Sequence, residues 1–421
     1  MQLEDMILVS VDDHMIEPPG IFDGHVPEKW RDQAPKIVRN EAGMDEWVFQ
    51  GVPVPTPLGM SATVGWPNEE WGFNPTVMAE LRPGCFDVHE RVRDMNANGV
   101  LAGMNFPTMA GFHARAFAEA NDKEAALVML QAYNDWAIDE WCGAYPGRFI
   151  PIGVVPMWDV ELAADEVHRI GKKGCRAISF IETPYVMGYP SYASGYWDPL
   201  LEALCDENMV LCLHIGAGLG LIQQAPEATL DNMLVLSCQI SALTAQDLLF
   251  GPTLRRFPQL RIALSEGGIG WIPFYFDRID RHVTNQRWLH SDFGGRLPSE
   301  VFRDHFLACF ITDPSGLELR HRAGVDILAW ECDYPHTDTT WPESPEKLWV
   351  ELQDAHCSDE DINKITWENA CRFFDWDPFK HTTRAEATVG ALRSLATDVD
   401  TSRVSRSEWR KRNEAAGIGV V

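Results

Sequence analysis

Ionisable side chains follow apolar runs at several places along the chain, and the clearest case lies in its last third. Glu331, Asp333 and His336 come directly after the apolar run 327–330. Polar groups at the end of a buried strand are costly unless they bind something. The same pattern follows other apolar runs, and the candidate site residues are Asp12, His14, His214, Glu266, Asp333 and His336.

The side chains of this set point to metal chemistry. Carboxylate oxygens and imidazole nitrogens together suit Zn²⁺, Mn²⁺ or Fe²⁺, and the lack of cysteine in the set argues against a structural zinc site. Each residue alone has a structural explanation, because a strand-end aspartate often caps a helix. The set as a whole predicts a divalent metal centre, provided that the fold brings its members together.

The elements that must position these residues alternate regularly along the sequence. The predicted strands are 6–11, 100–106, 149–155, 175–181, 209–213, 261–264, 306–311 and 327–330. The predicted helices are 86–98, 112–142, 159–170, 197–207, 230–250, 271–286 and 316–323. Strands that alternate with helices indicate an α/β fold with a parallel sheet, and eight such units fit a (β/α)₈ TIM barrel. In a barrel all strand C-termini meet at one rim, so residues far apart in sequence converge.

A doubly wound open sheet is the alternative to the barrel. It is disfavoured because no G-x-G-x-x-G follows the first strand. The glycine-rich stretch 216–220 comes after the fifth strand and lacks a phosphate-binding lysine, so it is weak support for nucleotide binding.

Two segments lie outside the barrel pattern. A long insertion, about 17–84, follows the first strand and is rich in Pro, Gly and Trp, as lids and binding loops often are. We therefore divide the chain into a barrel over 1–380 and a C-terminal extension over 381–421. The extension is expected to be a packing or oligomerisation arm, with a loosely ordered tail as the alternative, and we expect a homo-oligomer.

Composition restricts the partners and the compartment. The net charge of −27 argues against nucleic acid and anionic membrane surfaces, which require clustered Lys and Arg. Ten cysteines without a C-x-x-C pair predict free thiols in a reducing compartment. With an acidic N-terminus and no membrane-length apolar stretch, the sequence predicts a cytoplasmic protein that acts on a small molecule.

Several short motifs in a fixed order resemble the amidohydrolase superfamily. They are Val11-Asp12-Asp13-His14 with Glu17-Pro18-Pro19, then His214, then Phe257-Pro258-x-Leu260, then Asp333-Tyr334-Pro335. Over residues 8–375 the chain is most similar to the amidohydrolase-2 branch, which includes the aminocarboxymuconate-semialdehyde and resorcylate decarboxylases. The resemblance implies a (β/α)₈ barrel with one divalent metal held by Asp12, His14, His214 and Asp333.

The chain also departs from this family pattern. Glu266 stands where the family commonly has a histidine that acts as a general acid or base, and His336 stands where decarboxylases usually have phenylalanine. The fourth strand has no terminal lysine of the kind that bridges two metals in dinuclear hydrolases. The predicted site therefore exchanges a neutral base for an additional carboxylate and an additional imidazole.

These departures leave three functional hypotheses open. Three carboxylates and three imidazoles match a di-iron site, so the leading hypothesis is a non-haem di-iron monooxygenase, similar to the amidohydrolase-fold enzymes that hydroxylate diterpenoid intermediates, with a bulky hydrophobic substrate. The alternative is a single-Zn²⁺ or single-Mn²⁺ hydrolase or decarboxylase of a small carboxylated substrate. The third hypothesis is a catalytically inactive binding barrel.

The same residues take different roles under the first two hypotheses. In the oxygenase, all six residues bind iron and Asp333 or Glu266 bridges the two ions. In the mononuclear enzyme, Asp333 is a general base and Glu266 orients the substrate, so Asp333, Glu266 and His336 are the candidate catalytic residues. Glu17 and Glu331 are expected behind the ligands. The weaker candidates are Glu182, His290 and His305.

Overall fold

The computed structural model describes residues 1–54, 58–74, 76–218, 220 and 222–418. In these ranges the chain forms eleven strands. Those of the first part are β1 Val9–His14, β2 Lys36–Arg39, β3 Asp45–Phe49, β4 Val52–Val54, β5 Ala102–Phe106 and β6 Ile152–Gly153. They are followed by β7 Ala177–Phe180, β8 Val210–His214, β9 Arg261–Ser265, β10 Phe306–Phe310 and β11 Leu328–Trp330.

Eight of these strands form a ring of parallel neighbours. Six are hydrogen-bonded in the order β11-β10-β9-β8-β7-β6, and β1 pairs with β5. A parallel bridge from Gly103 to Phe149 joins β5 to the segment before β6. Between β11 and β1, the N–H of Asp333 donates to the carbonyl of Asp12 (2.8 Å) and that of His14 donates to Tyr334 (2.6 Å). The predicted (β/α)₈ barrel is confirmed.

Helices separate the barrel strands and cover their outer faces. Those up to β8 are α1 Leu58–Ser61, α2 Val88–Asn98, α3 Arg115–Ala118, α4 Lys123–Trp136, α5 Val160–Gly171 and α6 Asp198–Asp206. Those after β8 are α7 Leu230–Leu236, α8 Gln239–Phe250, α9 Thr253–Arg256, α10 Trp271–Asn285, α11 Pro298–His305, α12 Pro314–Glu318, α13 Arg320–Ala323, α14 Ser344–Asp354, α15 Asp359–Asn363 and α16 Asn369–Phe373. The final two are α17 Val389–Ser394 and α18 Arg406–Ala415.

Two predicted helices are wrong in their continuity. The region 112–142 contains a loop, α3 and then α4, whose N-cap is Asp122, since that side chain accepts hydrogen bonds from the N–H groups of Glu124 and Ala125. The region 230–250 is split into α7 and α8 near Ser237, whose hydroxyl donates to the Leu234 carbonyl. Such side-chain bonds compete with the helix backbone and favour a break.

Alternate strand residues fill the interior of the barrel with small and aliphatic side chains and with Met104. The interior residues include Val9, Val11, Ala102, Met104, Ala177, Val210, Cys212, Ala263, Leu307, Cys309 and Ala329. The larger side chains on the outer faces of the strands pack against the helices in a second core. Because the interior is packed, only the loops at the C-terminal rim have room for a site.

The insertion is more regular than its sequence predicts. β2, β3 and β4 form a three-stranded antiparallel sheet within it. β3 has the alternating burial of a strand with one covered face, since Asp45, Trp47 and Phe49 are buried. Pro and Gly residues between these short strands hide the alternation in the sequence.

The C-terminal extension packs on its own chain. The N–H of Val389 donates to the carbonyl of Met6, and that of Val404 donates to Gly65 (2.8 Å each). Farther along, α18 buries Trp409 and Asn413 against the insertion. The described part of the extension, up to residue 418, therefore contacts the barrel and the insertion, as a packing arm would. Its role in an oligomer and the domain division remain predictions.

No single helix in the described ranges is long and apolar enough to cross a membrane, although the bent pair α7 and α8 passes that test by length and composition together.

The Asn413 side chain offers a test of the packing arm. Its amide donates to the carbonyls of Ala79 and Leu81 (2.8 Å each). We expect Asn413→Ala to reduce the free energy of unfolding by about 1–3 kcal/mol, because it leaves two buried carbonyls unpaired. Thermal denaturation measures the loss, with the surface variant Arg410→Ala as the control. Equal stability of the two variants would show that the arm is not docked in this way.

Candidate metal centre

Three of the six predicted ligands meet where β1 and β8 reach the rim. The carboxylate of Asp12 lies 3.3 Å from Nε2 of His14 and 3.2 Å from Nε2 of His214. All three side chains are at most 2% exposed. Their donor atoms lie within 4.8 Å of one another, which is close enough to surround one metal ion.

A second group of three residues shares His14 with the first. Oδ1 of Asp333 lies 3.2 Å from Nε2 of His14 and 3.0 Å from Nδ1 of His336. The imidazole rings of His14 and His336 are stacked with their centroids 3.5 Å apart. The donor atoms of this group also lie within 4.8 Å of one another. The centre therefore contains two overlapping ligand triads.

Glu266 lies at the edge of the centre and outside both triads. Its Oε2 is 3.6 Å from Nε2 of His214, and 21% of its side chain is exposed. The N–H of Glu266 donates to Oε1 of the buried Glu331 (3.1 Å). This bond places Glu331 directly behind the candidate ligands, where it supports the backbone of Glu266.

The donor atoms fit a divalent metal because the protein leaves them unpaired. In the described part of the chain, both carboxylate oxygens of Asp12 and of Asp333 are buried without a hydrogen-bond partner, as are Nε2 of His14 and of His214. Nδ1 of His214 lies 2.7 Å from the carbonyl of Ile215 and donates to it. That bond selects the tautomer whose Nε2 lone pair is available to a metal.

The charges of the centre are unfavourable without a cation. Burial, followed by the charges of Asp333 and Asp13, raises the pKa of Asp12 well above its usual value. Burial also raises the pKa of Glu331 and of Glu266. Each of these carboxyl groups therefore holds a proton more tightly than a solvent-exposed carboxyl group does, and a divalent ion can replace such protons.

His14 and Asp333 differ from these carboxyl groups, because the pKa of each is lowered. Burial, followed by the nearby charge of His336, lowers the pKa of His14. Burial opposes ionisation of Asp333, but His336 and His14 outweigh burial and hold the pKa of Asp333 below its usual range. Asp333 is therefore the carboxylate that stays ionised, and His14 is a neutral imidazole, as metal binding requires.

Asp333 and Glu266 both adopt backbone conformations that are rare for non-glycine residues. Their φ angles are +58° and +59°, in the left-handed region. Such strain is tolerated mainly at functional sites, where the surrounding structure enforces it. Asp333 and Glu266 are the two candidate site residues with this conformation, which six other non-glycine residues of the described ranges also adopt.

The weaker candidates lie outside the centre. The carboxylate of Glu17 accepts hydrogen bonds from the N–H groups of Thr108 and Met109 and from the hydroxyl of Tyr133, so it anchors the loop after β5. His290 is exposed on the surface. His305 is a buried structural residue whose Nδ1 donates to the carbonyl of Leu260 (2.7 Å).

Glu182 is a different case, because it is buried after β7 and neither of its oxygens has a hydrogen-bond partner in the described ranges. Burial raises its pKa to about 7, while its own backbone amide, the amide of Gly218 and the charge of His214 oppose that shift. It is not a member of either triad.

Sequence reasoning missed three residues that contact the ligands. The ring of Phe112 stacks on His214 with centroids 4.1 Å apart. The buried guanidinium of Arg91 donates to the carbonyl of His14 (2.6 Å), and the carboxylate of Asp13 accepts from the N–H of Tyr334 (3.2 Å). Asp13 lies within the Val11–His14 motif, whereas Arg91 and Phe112 fall in the predicted helices 86–98 and 112–142, where the sequence does not distinguish them.

Comparison with known proteins agrees with this architecture. The Amidohydro_2 family model, described as amidohydrolase, matches residues 24–376, a range that contains His214, Glu266, Asp333 and His336 but begins after Asp12 and His14. A curated relative, the 2-amino-3-carboxymuconate-6-semialdehyde decarboxylase of Dictyostelium discoideum, is 23% identical over 267 residues, which are 61% of this chain and 68% of the relative.

Two solved structures illustrate the likeness in fold. An amidohydrolase from Mycobacterium avium subsp. paratuberculosis K-10 superposes with a TM-score of 0.64 at 19% identity, covering 88% of this chain and 99% of its own. A dihydroxybenzoic acid decarboxylase from Polaromonas sp. JS666, with bound manganese and the inhibitor 2-nitroresorcinol, superposes with a TM-score of 0.52 at 21% identity, covering 73% and 90%.

The buried carboxyl groups predict how the stability of the metal-free protein depends on pH. Burial raises the pKa values of Asp13, Glu17 and Glu182 to about 7, and unfolded carboxyl groups titrate near 4. Above pH 6.5 the folded state therefore binds more protons than the unfolded state, so its free energy of unfolding falls as the pH rises to 8. The expected slope is on the order of 1 kcal/mol per pH unit for each group still protonated in the folded state.

Chemical denaturation of metal-free protein between pH 6.5 and 8 measures this slope. Histidines with lowered pKa values add little to it, because they are largely neutral in both states above pH 6.5. Glu17→Gln removes one titrating group and should make the slope shallower. A free energy of unfolding that is constant or rises over this range would contradict the assignment.

Proposed function

Because the chain belongs to the Amidohydro_2 family of amidohydrolases, we propose that it is a divalent-metal-dependent decarboxylase of a small carboxylated substrate. The observation that carries the proposal is the convergence of Asp12, His14, His214 and Asp333, whose buried donor atoms have no other partner in the described ranges. The relatives support the choice of reaction, since the curated relative and the Polaromonas structure are both named as decarboxylases.

These findings favour the single-metal hydrolase or decarboxylase over the di-iron monooxygenase, which was the leading hypothesis from the sequence. The family match and the named relatives support a metal-dependent decarboxylase or hydrolase, and they give no support to the di-iron monooxygenase. The proposed metal is Mn²⁺ or Zn²⁺, and manganese is the ion named for the Polaromonas structure. When bound, such an ion polarises the substrate and stabilises negative charge that develops on it.

The residues around the metal can supply the proton that decarboxylation requires. When the bond to the carboxylate carbon breaks, CO₂ leaves and the electron pair stays on the substrate carbon, which must then be protonated. Glu266 is partly exposed at the mouth of the site, and burial together with the charge of Asp333 raises its pKa. We assign Glu266 as the proton donor, in the place where relatives commonly carry a histidine.

Asp333 and His336 have a supporting role in this reaction. Asp333 is held ionised by its imidazole neighbours, so it is a metal ligand and not a proton donor. His336 is 18% exposed and its Nδ1 contacts Asp333. Its remaining ring nitrogen is available to hydrogen-bond a substrate oxygen. Phe112, stacked on His214, provides an apolar wall for the substrate.

One observation favours a second candidate, the two-metal oxygenase. The second triad of His14, Asp333 and His336 and the adjacent Glu266 provide more ligands than one ion needs. With Glu331 included, four carboxyl groups surround the centre. If all four are ionised, two divalent cations balance their charge, whereas one divalent cation balances only two of them. The substrate of such an enzyme would be bulky and hydrophobic, as the sequence analysis expects.

Metal content and reaction products distinguish the two candidates. We expect one Mn²⁺ or Zn²⁺ per chain and release of CO₂ from members of a panel of hydroxylated and unsaturated carboxylic acids, at the same rate with and without oxygen. Mass spectrometry of metals and a coupled CO₂ assay provide the measurements. Two irons per chain with substrate-dependent oxygen consumption would exclude the decarboxylase and establish the oxygenase.

Substitution of individual ligands tests the metal assignment itself. His214→Ala and Asp333→Ala should lose the metal on dialysis while the barrel remains folded, because each removes a buried donor atom from one of the two triads. The matched control is His305→Ala, which removes another buried histidine, next to the start of β10 at the opposite end of the barrel. Equal metal retention in His214→Ala and His305→Ala would refute the proposed centre.

The proton-donor role of Glu266 requires a separate variant. Glu266→Gln keeps the size of the side chain and removes its proton, so we expect kcat to fall about 10²- to 10⁴-fold, with metal content unchanged. Loss of metal from this variant would instead make Glu266 a ligand, as the two-metal candidate requires.

A further inference from the structure

The strand that carries Asp12 and His14 contains an irregularity just before them. The register of β1 on β5 pairs Ser10 with Gly103 and Asp13 with Asn105, so three steps along β1 oppose two along β5. One extra residue is therefore inserted in β1, which is a β-bulge. A bulge reverses the alternation of side chains along a strand, because successive side chains otherwise point to opposite faces.

The reversal decides which side chains of β1 face the barrel axis. Val9, which precedes the bulge, and Val11, which lies within it, both belong to the interior core. Strict alternation would next turn residue 13 inward and direct residues 12 and 14 outward. Instead, Asp12 and His14 reach His214, whose strand also directs Val210 and Cys212 inward. The bulge is thus what brings both metal ligands of β1 to the axis.

Two outward-facing side chains span the bulge and fasten it. The hydroxyl of Ser10 lies 3.1 Å from Oδ1 of Asp13 and donates to it, and it is also 3.0 Å from the carbonyl of Asp12. Both residues are buried, with 0% and 2% of their surface exposed. The hydrogen bond between Ser10 and Asp13 thus links the two residues that flank the bulge.

The same two side chains connect β1 to the segment that carries Asp333. Oγ of Ser10 accepts from the N–H of Cys332 (2.8 Å), and Oδ1 of Asp13 accepts from the N–H of Tyr334 (3.2 Å). These bonds flank Asp333 on both sides, and the N–H of Asp333 itself donates to the carbonyl of Asp12 (2.8 Å). The ligands of β1 and of β11 are therefore positioned against each other by one set of contacts.

Gly103 on β5 provides the space that Asp13 occupies. A Cβ at this position would lie 2.2 Å from Oδ2 of Asp13, and the next nearest atoms are Cγ of Asp13 at 3.4 Å and Nδ2 of Asn105 at 3.8 Å. An alanine here would therefore displace the Asp13 carboxylate, while its contact with Asn105 would be ordinary. The glycine and the aspartate thus form a complementary pair across the two strands.

We infer that Ser10 and Asp13, accommodated by Gly103, are positioning residues that hold the β1 bulge and thereby direct Asp12, His14 and Asp333 at one metal ion. The inference rests on the metal dependence of the proposed function but not on its reaction. If CO₂ release fails while the protein binds metal as described below, the decarboxylase is refuted and this inference stands.

Cobalt binding to the full-length protein tests the inference. We expect Asp13→Ala and Ser10→Ala to weaken Co²⁺ binding about 10- to 100-fold, as changes behind metal ligands commonly do. The visible absorption of the bound Co²⁺ should change in position or intensity, since it reports ligand geometry. Asp13→Asn keeps an acceptor oxygen for Ser10 and Tyr334, so it should restore most of the affinity and the wild-type spectrum.

A double variant tests whether Gly103 acts through Asp13. Gly103→Ala should weaken Co²⁺ binding by displacing the Asp13 carboxylate. In the Asp13→Ala background the carboxylate is absent and the added methyl group has space, so the double variant should bind Co²⁺ as Asp13→Ala does. Additive losses in the double variant would overturn the coupling and with it the positioning role.

Glu166→Gln separates positioning from general stability. Glu166 is a buried carboxylate whose partners are Asn134, Arg169 and Gln131, and in the described ranges none of these hydrogen-bonds to a candidate ligand. Its substitution should lower the melting temperature of metal-free protein without changing Co²⁺ affinity or spectrum.

The inference is overturned if Asp13→Ala and Ser10→Ala bind Co²⁺ with wild-type affinity and spectrum. It is also overturned if Glu166→Gln loses Co²⁺ to the same extent as these variants at an equal drop in melting temperature. A wild-type protein that binds no Co²⁺ would overturn the inference together with the metal centre.

Discussion

The repulsion among buried carboxylates at the barrel rim is the constraint on which the site depends. Asp12, Asp333, Glu266 and Glu331 lie together, and the first two leave both of their oxygens unpaired in the described ranges. At an effective dielectric constant of 20, two like charges 4 Å apart repel by about 4 kcal/mol. Neutralisation must therefore come from protons or from a cation, and the two compete for the same oxygens. Folding, protonation and metal binding are coupled at this rim.

The position of the site in the barrel strengthens this coupling. The first and last strands, β1 and β11, form no regular ladder with each other, and the bonds between them come from Ser10, Asp13 and the backbone around Asp333. An ion bound by Asp12, His14 and Asp333 would join the same two strands. The junction between β1 and β11, where the barrel closes, therefore coincides with the metal centre. A rigid junction keeps the metal ligands in position, and a bound ion would stabilise the junction.

The sequence predicts the barrel and the membership of the site because both follow from long, repeated patterns. Eight apolar runs mark the strands, and the polar residues at their ends mark the rim. It cannot predict the bulge in β1, because the apolar alternation ends at Val11 while the strand continues to His14. Nor can it predict the stacking of Phe112 on His214, which depends on the conformation of a loop, or the anchoring role of Glu17, which depends on partners about ninety residues away or more.

Glu266 and His336, the two departures from the family pattern, have different positions in the metal centre and therefore different expected roles. His336 contacts Asp333 directly and completes a second triad with His14, so it adds an imidazole nitrogen to the possible metal ligands. Glu266 lies outside both triads, is partly exposed and has a raised pKa, which are properties of a proton donor at the mouth of a site. A proton on Glu266 lowers the negative charge that a cation must balance, and this favours one metal ion. Ionised Glu266 and Glu331 would instead require a second ion, so the protonation state of these two residues decides between the two chemistries.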